Sequence, residues 1–210
     1  MLKALFWRLE ERGVWAVLFA ATASAILIAL AFEHIVGMRP CPLCYRQRWP
    51  YYALIALSTA ALIALYSQNA AIKAHAAKFN PASATQEEAV KHMAAAPIGL
   101  GPAIFSWLGL MAAFVILLVS AGMGAHHAGV EWGWWPGPET CAGGAGPAEG
   151  ATLLERIQNT RVVRCDEAAG RFLGLSFAGW NAALSAALAA FVGLYFYSLR
   201  GPHNFIAAKR

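Results

Sequence analysis

Charge is what this 210-residue chain has least of: 13% of its residues are Asp, Glu, Lys or Arg, against 59% hydrophobic residues. That balance excludes an ordinary water-soluble domain, in which roughly a quarter of the residues are charged. The formal net charge of +5 reads as membrane topology, and no nucleic-acid footprint is expected. Cysteine is scarce as well. Cys41, Cys44, Cys141 and Cys165 all fall between apolar stretches and never within one. No histidine follows Cys44, where Tyr45 stands, so haem attachment is excluded. A zinc site is disfavoured, because 23 residues separate Cys141 from Cys165 and no histidine sits at ligand spacing beside the first pair.

What the chain does have is four long apolar runs. Val14 to Val36 is broken only by Glu33 and His34, while Tyr51 to Tyr66, Ala103 to Met123 and Phe177 to Leu199 carry no acidic or basic residue. Each approaches the ~20 residues that cross a bilayer core as a helix. The second is short, but Trp49 and Pro50 extend it at the interface. The basic flank Lys3, Arg8 and Arg12 resembles that of a secretory signal, yet the apolar run behind it exceeds the roughly 7–15 residues of a signal core. The expected fold is therefore an all-α membrane protein, a single four-transmembrane-helix bundle over 1–210. Its helices are expected at about 14–36, 49–66, 103–123 and 177–199.

Four helices put both termini on one side with the connection 67–102. That side holds nine of the sixteen basic residues and every lysine, which assigns it to the cytoplasm. Tryptophan and tyrosine cluster near both ends of the runs, as membrane interfaces favour. The loops 37–48 and 124–176 then lie on the outer side, and with them all four cysteines. An even count confined to an oxidising compartment implies disulfides.

Two structural staples are one reading of those cysteines. A ring as small as Cys41-Pro42-Leu43-Cys44 stabilises little, however, because the gain grows with loop length. The pair is better suited to opening and closing as a dithiol. Such chemistry needs a stabilised thiolate, and a nearby cation lowers a cysteine pKa. If the second helix begins near Leu43, Arg48 lies one turn from Cys44, where it can stabilise the Cys44 thiolate or hold a polar acceptor against it. Arg46 reads as a headgroup contact.

Gly and Pro surround Cys141 in the second outer loop and discourage regular structure, which gives that cysteine access to two partners. A short helix on the outer leaflet is expected between Leu153 and Arg164. On the inner side, Thr85-Gln86-Glu87-Glu88 has the pattern of a capping box opening a short helix that ends before Pro97. Glu33 and His34 lie about 5 Å from the outer end of their helix and read as interfacial. His126 and His127 are candidates for proton chemistry, because histidine titrates near physiological pH.

Taken together, these motifs resemble the bacterial disulfide bond formation protein B family, DsbB. The likeness rests on four helices, Cys41-Pro42-Leu43-Cys44 with Arg48, the long second outer loop with Cys141 and Cys165, and Phe172-Leu173-Gly174-Leu175 leading to Trp180. It implies a multi-pass inner-membrane thiol:quinone oxidoreductase with both termini cytoplasmic and two periplasmic loops. The implied partner is a periplasmic thioredoxin-like oxidant of the DsbA type. The implied acceptor is membrane quinone, ubiquinone or menaquinone, with terminal oxidases served indirectly through the quinone pool. Cys41, Cys44, Cys141 and Cys165 would be catalytic, with Arg48 and His127 at the quinone and no metal. A disulfide between Cys141 and Cys165 would take electrons from the partner and pass them through Cys165 to Cys41 and Cys44.

Two other functions fit part of the pattern. A quinone-linked reductase of the vitamin K epoxide type would place its loop cysteine pair ahead of the Cys-x-x-Cys. A non-enzymatic four-helix scaffold would need neither Arg48 nor a Cys-x-x-Cys at the lipid edge.

Overall fold

Each apolar run becomes a helix in the computed structural model, which describes residues 10–79, 85–96, 100–138 and 164–199. In chain order the elements are α1 (Glu11–His34), α2 (Pro42–Ala76), α3 (Gln86–Ala94), α4 (Leu100–Glu131), β1 (Arg171–Phe172), β2 (Leu175–Ser176) and α5 (Phe177–Leu199). Four of them, α1, α2, α4 and α5, are long and apolar enough to span a membrane. Only 28–33% of each apolar window is buried inside the protein. The remaining apolar side chains point outward, which is stable only where lipid is the solvent. The all-α four-helix membrane bundle expected from the runs is the fold observed.

Bundle order follows from which helix ends meet. The C-termini of α1 and α4 and the N-termini of α2 and α5 line one cavity, so the four spans alternate in direction. The closest pairings are α4 with α5, α1 with α2, and α2 with α4. Their shared core is built from Leu18, Leu54, Leu110, Leu117, Leu188 and Val192 with smaller neighbours. Polar side chains inside it are paired across helices. Trp15 Nε1 donates to Ser106 Oγ at 2.7 Å, Ser185 Oγ donates to Ser120 Oγ at 2.9 Å, and Tyr51 Oη lies 3.0 Å from Ser185 Oγ. Hydrogen bonds of this kind fix which helix faces which, where hydrophobicity alone would not discriminate.

Three boundaries differ from the sequence expectation, each for a local reason. Helix α2 starts at Pro42, inside the segment expected as an outer loop. Proline is preorganised for the first helical position, and the Cys41 sulfur caps the new helix by accepting from Cys44 N–H at 3.1 Å. The same helix continues past Tyr66 to Ala76 through a polar but helix-compatible stretch. Helix α4 runs beyond Met123 to Glu131, so His126 and His127 are helical, not loop residues. It stops at Gly133, whose φ of +74° lets Trp134 N–H reach Gly129 O at 2.9 Å and Gly133 N–H reach Val130 O at 3.1 Å, a Schellman stop.

The capping box forms as expected: Thr85 N–H donates to Glu88 Oε2 at 2.8 Å and Glu88 N–H donates to Thr85 Oγ1 at 3.3 Å. This helix is tied to the C-terminal end of α2 by His75, which donates to His92 O at 2.9 Å and stacks on its ring. Phe172-Leu173-Gly174-Leu175 makes a hairpin, with Arg171 opposite Ser176 and Phe172 opposite Leu175. Positive φ at both Leu173 and Gly174 suits a two-residue turn that matches the strand twist. The outer-leaflet helix expected between Leu153 and Arg164 lies almost wholly outside the described residues.

One glycine lets α4 and α5 approach closely. A Cβ on Gly124 would lie 2.7 Å from Ala182 N and 2.9 Å from Ala182 Cα, backbone atoms that cannot rotate away. Gly124→Ala is therefore expected to push α4 from α5 and to destabilise the bundle by about 1–3 kcal/mol, as overpacking does. Thermal unfolding in detergent should show a lowered midpoint; an unchanged one would mean the two helices separate without cost.

Candidate functional site

Cys41 is both a redox residue and a helix cap. Its backbone is extended (φ −75°, ψ 165°) and its sulfur faces the first turn of α2, where unpaired N–H groups and the helix dipole favour negative charge. Cys44 sits one turn in, and both cysteines are free thiols. His127 comes from α4, 3% exposed, with Nε2 3.6 Å from Cys41 Sγ. Its other nitrogen is fixed by Gln47, whose Nε2 donates to Nδ1 at 2.9 Å and to Met123 O at 3.3 Å. That assignment leaves the proton on Nε2, pointing at the sulfur. Asn181 from α5 completes the arrangement by donating to Gln47 Oε1 at 3.2 Å.

These contacts lower the Cys41 pKa below the usual cysteine range. The hydrogen bond from the Cys44 thiol acts most strongly, with His127 and the Cys44 N–H helping against the opposing effect of burial. A thiol with a depressed folded pKa adds stability to the reduced protein above its unfolded pKa, and loses that contribution as pH falls through the folded one. With Cys141 and Cys165 replaced by serine, the thiolate absorbance of the reduced protein should persist well below pH ~8.5, the midpoint of a free cysteine. His127→Ala should move the midpoint upward. An ordinary midpoint in the parent would remove Cys41 as the stabilised thiolate.

Arg48 is held differently from the sequence expectation of a direct partner for Cys44. Its Nη1 donates to Glu33 Oε2 at 2.5 Å, and Tyr45 Oη donates to the other carboxylate oxygen at 2.8 Å. The guanidinium also lies over the Tyr45 ring, 5.1 Å from its centroid. Glu33 thus fixes Arg48 in the lining of the cavity that Cys44 also lines. Arg46 is exposed and does not line it.

The two adjacent histidines are separated cleanly. His126 is exposed and stacks on Trp135, which donates to the His126 carbonyl at 2.9 Å, whereas His127 enters the site. Cys165 is disulfide-bonded, 1% exposed, and forms a buried cluster with Cys41 against which Leu43 and Cys44 pack. The Cys141 assignment lies outside the described residues. Arg164, Glu167 and Ala169 flank Cys165 and close one side of the cavity.

Three polar residues had no assigned role in the sequence: Gln47, Asn181 and Glu131. The Glu131 side chain is 5% exposed, its Oε1 is 3.9 Å from His127 Nε2, and its Oε2 is buried without a hydrogen-bond partner. Its four-residue spacing from His127 was the available signal, since such pairs share a helix face. Gln47 and Asn181 carry no comparable pattern, because their meeting depends on how α2 and α5 pack.

The cavity itself measures about 390 Å³. One part is apolar, between Ile26, Ala29 and Phe32 of α1 and Phe177 and Leu184 of α5; the other gathers Cys41, Cys44, Gln47, Arg48, His127 and Glu131. The Glu131 oxygen without a hydrogen-bond partner and the Arg48 guanidinium are the polar groups of this lining that could hold a bound ligand.

Fold and site together define a class: a multi-pass membrane protein with a buried dithiol centre where four helix ends converge. The sequence model of the family Disulfide bond formation protein DsbB matches residues 11–195, and the chain belongs to that family, whose role is oxidoreductive disulfide formation. It is 27% identical over 203 residues to Disulfide bond formation protein B of Marinobacter nauticus, covering 91% of this chain and 97% of that one. Shorter matches join it to proteins of the same description. The one in Aromatoleum aromaticum is 40% identical over 55 residues, 26% of this chain and 31% of the other. The one in Sodalis glossinidius is 34% identical over 64 residues, 30% and 36% respectively.

Proposed function

We propose that this protein is the thiol:quinone oxidoreductase that keeps a periplasmic, thioredoxin-like dithiol oxidant of the DsbA type in its oxidised form, from the bacterial inner membrane. The observation that carries the reading is the shared cavity: one largely apolar chamber is lined by both sulfurs of the Cys41–Cys44 dithiol, and Cys165 packs on Cys41.

The sulfur steps are those the family resemblance implies, and the packing of Cys165 on Cys41 suits the second of them. A partner thiolate attacks Cys141 of a disulfide with Cys165, forming a mixed disulfide and freeing the Cys165 thiolate. Cys165 then attacks Cys41 of the Cys41–Cys44 disulfide, and Cys44 leaves as a thiolate. The partner's second thiol releases Cys141 and departs oxidised. Cys141 recovers Cys165, which leaves Cys41 and Cys44 reduced. Each exchange moves one electron pair between sulfurs, at a rate set by thiolate fraction and leaving-group pKa. The Cys41 environment suits it to leave as the stabilised anion in the last exchange.

A quinone bound in the chamber supplies a two-electron, two-proton acceptor. Arg48, oriented by Glu33, would hold it at a ring oxygen. His127 holds the Cys41 thiolate through Nε2–H, and the free Oε2 of Glu131 is an atom on which a proton can rest as the disulfide re-forms. Purification from native membranes, followed by identification of the co-extracted quinone and assay with a reduced thioredoxin-like partner, tests the reading. Quinone reduction that consumes partner thiols supports it; a partner that stays reduced with quinone present overturns it.

A further inference from the structure

The sequence disfavours a metal because no histidine neighbours the first cysteine pair along the chain. In three dimensions one does. Cys41 Sγ, Cys44 Sγ and one ring nitrogen of His127 lie within 4.8 Å of one another, brought together from the start of α2 and the last turns of α4. With metal–sulfur and metal–nitrogen bonds of ~2.3 and ~2.0 Å, a tetrahedral zinc ion needs a sulfur–nitrogen edge of roughly 3.5 Å. The Cys41 Sγ to His127 Nε2 distance is 3.6 Å.

A second observation points to the same place. Glu131 is buried, 3.9 Å from that nitrogen, and its Oε2 has no partner. A carboxylate so enclosed is a costly thing to leave unpaired, and a cation beside His127 would pair it.

We propose that the reduced Cys41–Cys44 pair, with His127 and the adjacent Glu131, is a binding site for a thiophilic divalent cation, zinc by its donor set, and that the site exists only in the reduced protein. Two thiolates and one imidazole supply three positions of a tetrahedral set, and the Glu131 carboxylate, 3.9 Å from His127 Nε2 and outside that trio, stands beside it as a charge partner. Binding needs Nε2 free of its proton, so the proton moves to Nδ1 and the Gln47 amide turns over to accept it. Gln47 would then be the outer partner that metal-bound histidines require. Oxidation to the disulfide removes both thiolate ligands at once, so the cation and the oxidised state exclude one another. Zinc would therefore hold the dithiol out of turnover. The inference requires only a reducible Cys41–Cys44 pair and is independent of which acceptor takes its electrons.

The test uses the full chain in detergent with Cys141 and Cys165 replaced by serine, so that only this pair supplies thiolates. Cobalt(II) is titrated first for its thiolate charge-transfer and tetrahedral d–d absorption, then displaced by zinc. One equivalent bound to the reduced protein and none to the oxidised protein is expected. His127→Ala should weaken zinc by more than the roughly 10–100-fold that loss of an outer partner costs, and Glu131→Gln should weaken it less. His126→Ala, at an exposed ring stacked on Trp135, should leave affinity unchanged. Equal binding by oxidised and reduced protein, or an unaltered cobalt spectrum and zinc affinity in His127→Ala, would overturn the proposal. The oxidised and reduced arms use one sequence, so they decide the matter even where a variant folds poorly.

Discussion

Cys44→Ser is expected to reduce electron transfer to quinone below detection while leaving the first exchange intact. Serine keeps the size and the polarity of the side chain, so α2 and its cap should form as before. What it cannot do is close a disulfide with Cys41. Cys165, packed directly on Cys41, then has no Cys41–Cys44 disulfide to attack, so the blocked protein should accumulate with Cys41, Cys141 and Cys165 all as thiols once reduced partner has been oxidised. Thiol alkylation followed by peptide mapping reads that state, and a quinone assay reads the loss. Normal quinone turnover in the variant would show that Cys44 is not the sulfur next to the acceptor. The companion change, Cys141→Ser, should prevent the mixed disulfide with the partner, and partner trapped on Cys165 instead would reverse the assigned order.

The Arg48 series should give the next largest effect. If Arg48 donates a charge-assisted hydrogen bond to the acceptor, its loss costs ~1.5–3 kcal/mol, or roughly 10- to 150-fold in quinone use. Arg48→His is expected to raise the apparent KM for quinone by that order with little change in folding, since the side chain is not part of the apolar core. Lysine should recover part of the loss, because it supplies charge without the planar fork of donors. Glu33 adds a sharper check. Its carboxylate is what orients the guanidinium, so Glu33→Gln should raise KM in the same direction but less than Arg48→His. A quinone titration of these variants against Arg46→Ala decides the point. An unchanged KM at position 48, or an equal defect at the exposed Arg46, would return both arginines to headgroup contacts.

Much of this architecture is legible in the chain because lipid imposes length and polarity on every span. The four runs and their order follow from composition alone. Helix ends are less readable. The start of α2 depends on a sulfur acting as a cap, and the extension of α4 depends on Gly124 and Gly129, which look like loop residues until Ala182 and Trp135 are seen pressed against them. Site chemistry divides along the same line. Cys41, Cys44 and Arg48 share a local spacing and could be named from sequence, and His127 came through the family resemblance. Gln47, Asn181 and the Arg48–Glu33 pair depend on contacts between helices, for which sequence spacing offers no rule.

Pro50 gives α2 a property beyond shape. Buried within the helix, it has no N–H to return to the Arg46 carbonyl, so the backbone ladder is broken between the segment Pro42–Trp49 and the membrane-embedded remainder. The cooperative unit that protects amides from hydrogen exchange should end there. Amides of residues 46–49 are expected to exchange faster than those around Leu54 and Leu65 in the core, on a timescale set by local opening and not by unfolding of the bundle. The turn that carries both sulfurs can therefore breathe, as repeated making and breaking of its bonds requires, while the helices that hold it in the bilayer stay closed.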